Sequence, residues 1–192
     1  MKKITFLFLM LVGMWTLQSC DNAGNNKHAD TEEHAEDANE DKLKGDAEDD
    51  AEKLVKIASS SMAEVEHGKL AMQKGSSKTV KDFAQMMVND HSKANQELMA
   101  LAASKNITLP SAMGSDHQKH QEELSKLSGK EFDEKYMDIM VKMHKQDVEL
   151  MEDLAEDAKD PDIKAFAAKT LPTLKMHLDH AEGKEDHTDH KH

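Results

Sequence analysis

Four residues of this chain have side chains that could act together on a metal ion: Glu64, His91, His144 and His177. Each lies on the apolar stripe of a different long helical segment. His91 interrupts the run Val80, Ala84, Met87, Ala94, Leu98, Leu101, where Leu or Ile would ordinarily face a core. Three imidazoles and one carboxylate suit Zn, Fe, Mn or Cu, and an open coordination position would permit chemistry. Asp147, one turn beyond His144, is placed to be a fifth ligand or an acceptor for an imidazole N–H.

The elements that must position these residues are helices. Ala, Glu, Lys, Met and Leu dominate the composition, with one Tyr, one Trp, five Phe, three Pro and eight Gly. Runs of alternating β-branched residues are missing, so an all-α fold is expected. A first long helix from Ala47 to Lys74 carries Leu54, Ile57, Ser61, Glu64, Gly68 and Ala71 on one stripe. Gly75-Ser76-Ser77 stops it and caps the next helix, which runs from about Val80 to Lys105. A short extra helix, Ser115–Leu127, precedes the third long helix over Lys130–Lys159. Asp160-Pro161 opens the fourth, with Ile163, Ala167, Thr170, Leu174, His177 and Ala181 on one face and Pro172 inside it.

Four long helices with short connections imply an antiparallel four-helix bundle. Counting from the turns tests whether the four polar residues meet. Glu64 lies eleven residues before Gly75 and His91 fourteen after Ser77; His144 lies fourteen before Ala158 and His177 about sixteen after the 158–161 turn. At roughly 1.5 Å per residue, each pair sits within one turn of level. The alternative is a metal-free network of buried Glu and His hydrogen bonds, in a structural or protein-interaction module. A third reading makes the same residues the site of a small redox enzyme.

Weaker candidates surround this set. Glu64-Val65-Glu66-His67 has the Glu-x-x-His spacing of di-iron helices, but the second copy is missing, which leaves His67 at the edge. Met86, Met87, Met140, Met143 and Met176 lie near the histidines in sequence and are either Cu(I) ligands or core filler. His28 and His34 could bind metal weakly, though a charged spacer is the favoured reading; His180, His187, His190 and His192 could scavenge metal, and a solubilising tail explains them as well.

The ends read differently. Met1–Cys20 has Lys2, Lys3 and an apolar run from Ile4 to Leu17, the pattern of an export signal. Its ending, Leu17-Gln18-Ser19-Cys20, resembles a bacterial lipobox, which makes Cys20 the lipidated first residue of the mature protein. Cys20 is the single cysteine, so intramolecular disulfides and Cys-based metal sites are excluded. Residues 21–48 form a strongly acidic stretch expected to be a disordered tether; residues 49–182 form the folded domain and 183–192 a His-rich polar tail. A net charge of −13 without a basic stripe argues against nucleic acid. The expected location is the cell envelope, periplasmic or outer-membrane, with the membrane engaged through Cys20.

Residues of roughly 50–182 resemble the bacterial domain of unknown function 4142. The matching pieces are Ala63-Glu64-Val65-Glu66 with Gly68-Lys69-Leu70-Ala71, and Phe83-Ala84-Gln85-Met86-Met87-Val88-Asn89-Asp90-His91. They continue with Leu127-Ser128-Gly129, Phe132-Asp133, Tyr136, Met140-Val141 and His144, and close with Phe166-Ala167, Thr170-Leu171-Pro172-Thr173-Leu174 and His177-Leu178. The resemblance implies an exported, ferritin-like helical domain and places its motif positions on Glu64, His91, His144 and His177. It implies no activity.

Overall fold

The computed structural model describes residues 31–184. Within them the chain forms six helices and no strand: α1 (Thr31–Glu40), α2 (Asp46–Lys74), α3 (Lys78–Ser104), α4 (Ser115–Lys126), α5 (Gly129–Asp157) and α6 (Pro161–Ala181). The export signal, Cys20, His28 and the histidines at 187, 190 and 192 lie outside the described residues.

The turn chemistry acts where the spacing places it. Ser77 caps α3 by accepting from the Val80 N–H at 3.1 Å, and Asp160 caps α6 by accepting from Asp162 and Ile163. Asp133 of α5 adds a tie across the molecule. Its carboxylate accepts from the Ser76 and Ser77 backbone N–H groups at 2.8 Å and from the Ser76 hydroxyl at 2.6 Å. It thereby holds the α2–α3 turn against the start of α5.

α2 packs along α3, and α5 along α6; α2 also meets α5, and α3 meets α6. Gly68 sets the approach of α2 to α3. A Cβ there would stand 2.9 Å from Val88 Cγ2 and 3.1 Å from the Ala84 carbonyl oxygen, too close for a side chain.

The apolar interior falls into two clusters. One joins Leu54, Ile57, Leu98, Met151, Leu154, Ile163 and Phe166. The other joins Phe83, Met87, Leu124, Phe132, Tyr136, Met140 and Met143. Glu64, His91, His144, Asp147 and His177, all buried, belong to neither; His91 on α3 and His144 and Asp147 on α5 lie between the two in sequence, and Glu64 on α2 follows Ala63 of the second. A layer of polar side chains therefore divides the core.

The tether reading needs correction from Thr31 onward. The segment 31–40 is helical, and Ala35 and Asn39 are buried. Asn39 exchanges two hydrogen bonds with Thr108, donating Nδ2–H to its carbonyl at 2.9 Å and accepting its N–H at 2.7 Å. Thr31 donates to the Ala112 carbonyl at 2.8 Å. The attachment uses polar pairing with a connector more than apolar burial, which is why composition alone reads it as solvated. Among the described residues, no helix is long and apolar enough to cross a membrane.

Candidate metal centre

α2 supplies Glu64, α3 His91, α5 His144 and Asp147, and α6 His177. The helical register that buries Leu54, Ile57 and Ala71 on α2 also buries Glu64 completely. The same holds for His144 and His177, while His91 is 4% exposed.

The geometry divides the expected ligand set. His91, His144 and His177 each offer a ring nitrogen within 4.8 Å of the other two. The ring centroids stand 5.3 Å (His91–His177), 5.4 Å (His144–His177) and 5.5 Å (His91–His144) apart. An ion at 2.0–2.1 Å from an imidazole nitrogen lies about 3.2 Å from that ring's centroid, so three rings on one ion stand about 5.2–5.5 Å apart. The three imidazoles thus match that spacing, although the 4.8 Å bound on their nitrogens is wider than the roughly 3.5 Å of a closed site.

Glu64 stands behind two of the rings. Its Oε2 is 2.9 Å from His91 Nδ1 and its Oε1 is 3.0 Å from His144 Nδ1. Those nitrogens are also 3.0 Å from the Ser61 hydroxyl and the Met140 carbonyl, respectively. The N–H directions favour these latter partners, so the carboxylate acts mainly as a buried charge beside them. A carbonyl can only accept, so the proton of His144 is on Nδ1 and its Nε2 carries a lone pair. His177 Nε2 donates to Asp90 Oδ2 at 3.0 Å, which leaves its Nδ1 as the lone-pair nitrogen. The result is three buried nitrogens, His91 Nε2, His144 Nε2 and His177 Nδ1, that have no hydrogen-bond partner.

The electrostatics of the layer favour a cation. Burial pushes the His144 imidazole down and His177 down to about 4, so both are neutral at pH 7. Burial alone would raise the Glu64 carboxyl; the positive charge that His91 and His144 carry when protonated outweighs it and brings it to about 2. Asp147 goes the other way. Burial, then the neighbouring Glu64 charge, raise it well above the carboxylate range, and its Oδ2 accepts from the Ser60 hydroxyl at 2.8 Å. Of this carboxyl pair Glu64 gives up its proton first and Asp147 keeps its own to higher pH. A buried carboxylate held low only by positive charge beside it is one that a cation among the imidazoles would stabilise.

The profile described as "Domain of unknown function (DUF4142)" matches residues 32–183. The chain belongs to the DUF4142 family. The match begins in α1, so the family domain includes the helix expected to be tether. No curated protein shows significant similarity to this DUF4142 chain. Among solved structures it is similar to a DUF305 fragment from Deinococcus radiodurans, with a TM-score of 0.62 and 12% identity, over 70% of this chain and 93% of that one. At that identity the likeness concerns the fold alone.

Other sequence candidates fall elsewhere. His67 is completely buried rather than at an edge. It faces α4, where its Nε2–H donates to the His117 carbonyl at 3.2 Å and its ring lies 6.4 Å from that of His120. Met176 is 41% exposed, whereas Met87, Met140 and Met143 fill the core. His180 belongs to α6, not to a tail, and stacks on Phe83 with centroids 4.9 Å apart. Sequence reasoning missed Asp90, Ser61 and the Met140 carbonyl as partners of the imidazoles. Asp90 could have been found: it precedes His91 directly, on the side of α3 that turns toward α6.

Proposed function

We propose that this DUF4142 protein is an envelope-anchored, ferritin-like antiparallel four-helix bundle whose core binds one transition-metal ion through His91 Nε2, His144 Nε2 and His177 Nδ1. Glu64 and Asp90 orient the rings and add negative charge, and Asp147 stands behind Glu64. Its task is metal handling or stress protection at the membrane surface, where lipidated Cys20 holds it. Zn, Fe, Mn and Cu remain the candidate ions, because imidazole nitrogens suit all four.

The observation that carries this reading is the trio of buried imidazole nitrogens without a hydrogen-bond partner, on three rings that each offer a nitrogen within 4.8 Å of the other two. A structural network would pair such atoms, since each unpaired buried nitrogen costs about 1–3 kcal/mol. A cation satisfies all three at once. The backing of each ring by a carboxylate or carbonyl is the arrangement that fixes tautomers in histidine metal sites.

The test uses protein truncated after Glu182, so that tail histidines do not contribute. Elemental analysis after exposure to Zn, Fe, Mn and Cu should find one ion per chain, and His144→Gln should lose it. At a hundredfold excess over the dissociation constant, the ion should stabilise the fold by about 2.7 kcal/mol. A wild-type protein whose thermal midpoint ignores all four ions would refute metal binding and favour the second reading, a structural module with a shared-proton core. That reading draws on the Glu64–Asp147 pair, where burial and the neighbouring Glu64 charge raise the Asp147 carboxyl.

A further inference from the structure

A cavity of about 30 Å³ runs beside the imidazoles of His91 and His177 between α3 and α6. Its inner wall includes His91, His177 and Asp147, and its flanks are Ala94, Leu98 and Leu174. It reaches toward the surface at Asn95 and Thr173, which are partly exposed. One water needs roughly 10–15 Å³ measured this way, so the space suits a molecule of two or three heavy atoms. No Lys or Arg lines it, while Asp90 and Asp147 do. An anion would meet carboxyl groups and no cation there; an organic substrate would not fit.

We infer that this cavity admits an uncharged diatomic of the dioxygen or nitric oxide kind to the coordination position that three imidazoles leave open. The inference rests on the metal reading above and adds to it the ligand class and the entry route. Four-coordination is the common preference at such sites, and three protein ligands leave one position for an exogenous group. His91 and His177, on the two helices that flank the cavity, are two of the three ligands, so an incoming molecule reaches the ion from that side. His144 is not part of the cavity wall.

The experiment is an anaerobic titration of full-length protein loaded with Fe(II), using nitric oxide as the probe and visible absorption as the readout. If copper is the ion retained, Cu(I)-loaded protein is titrated with carbon monoxide and read by infrared absorption. Wild type should bind one diatomic per ion. Ala94→Phe fills the cavity, and Asn95→Trp covers its rim at a partly exposed position where folding is safe. Each should retain metal by elemental analysis while slowing diatomic binding at least tenfold. Metal retained with no spectral response, or equal rates in wild type and Asn95→Trp, would overturn the cavity inference and leave the metal reading standing. Retention of zinc alone would also overturn it, since zinc takes up no diatomic. Wild type without any metal would overturn both.

Discussion

The three imidazoles differ in what holds them, and this gives each a distinct expected behaviour. His144 is fixed by the carbonyl of Met140 on its own helix, so its tautomer survives substitution of neighbouring side chains. His177 depends on Asp90 alone for its Nε2–H. Asp90→Asn should therefore weaken metal binding by about 10–100-fold while leaving the helical content intact, measured by competition with a chromophoric chelator. Glu64→Gln should cost at least as much, because it removes the charge that two rings share. The proton competes with the ion for the same lone pairs. Burial holds His177 at about 4, so in the metal-free protein its ring should take up its proton only as the pH falls toward 4, read by its NMR titration, and it should not compete with the ion near pH 7. A His177 midpoint near 6.5 would mean that this ring titrates as a solvated imidazole. The residue types of the layer were legible in the sequence because polar groups interrupted apolar stripes. The division of labour was not, since Glu64 shares the depth of the histidines and only the ring orientations place it behind them.

At the scale of elements, α4 covers a second group of histidines whose acid behaviour is separable from the metal layer. His67 of α2 lies under His117 and His120 of α4. Burial, opposed by the hydrogen bond to the His117 carbonyl, brings His67 down to about 4 from 6.5. The folded state therefore binds this proton less readily than the unfolded chain. Stability from neutral His67 is complete above pH 6.5 and is lost as the pH falls from there to about 4, with no further loss below. The loss should reach roughly 2–3 kcal/mol for a group this buried. Urea denaturation between pH 7 and 4 should show that slope, and His67→Gln should flatten it at some cost in stability at pH 7. Asp133 makes a separate prediction. Asp133→Ala leaves the Ser76 and Ser77 N–H groups without their acceptor and should cost about 2–3 kcal/mol in the same assay. The long helices were readable from apolar periodicity and from Gly, Ser, Asp and Pro at their ends. α1 was not, because Asn39 and Thr31 attach it through backbone groups of a connector that no periodicity reveals.

For the whole molecule, the polar layer is a cost carried by the core. It separates two apolar clusters that would otherwise be continuous along the four long helices. It also buries a charged carboxylate and three unpaired nitrogens. Replacing a buried polar group by well-packed apolar residues is often neutral or stabilising by about 1–4 kcal/mol. The quadruple variant Glu64→Leu, His91→Leu, His144→Leu, His177→Leu joins the clusters and removes the unpaired atoms together. It should be at least as stable as metal-free wild type, by denaturant midpoint at pH 7, while losing all response to added metal. Removing a single member should behave oppositely. His177→Leu alone leaves Glu64 charged and the other two lone pairs facing an apolar wall, so it should destabilise the metal-free protein and abolish rescue by metal. The contrast between the two variants separates a core that keeps these residues for a cation from one that needs them for its own packing. If the quadruple variant unfolds where the wild type holds, the layer is a structural network and the metal is incidental.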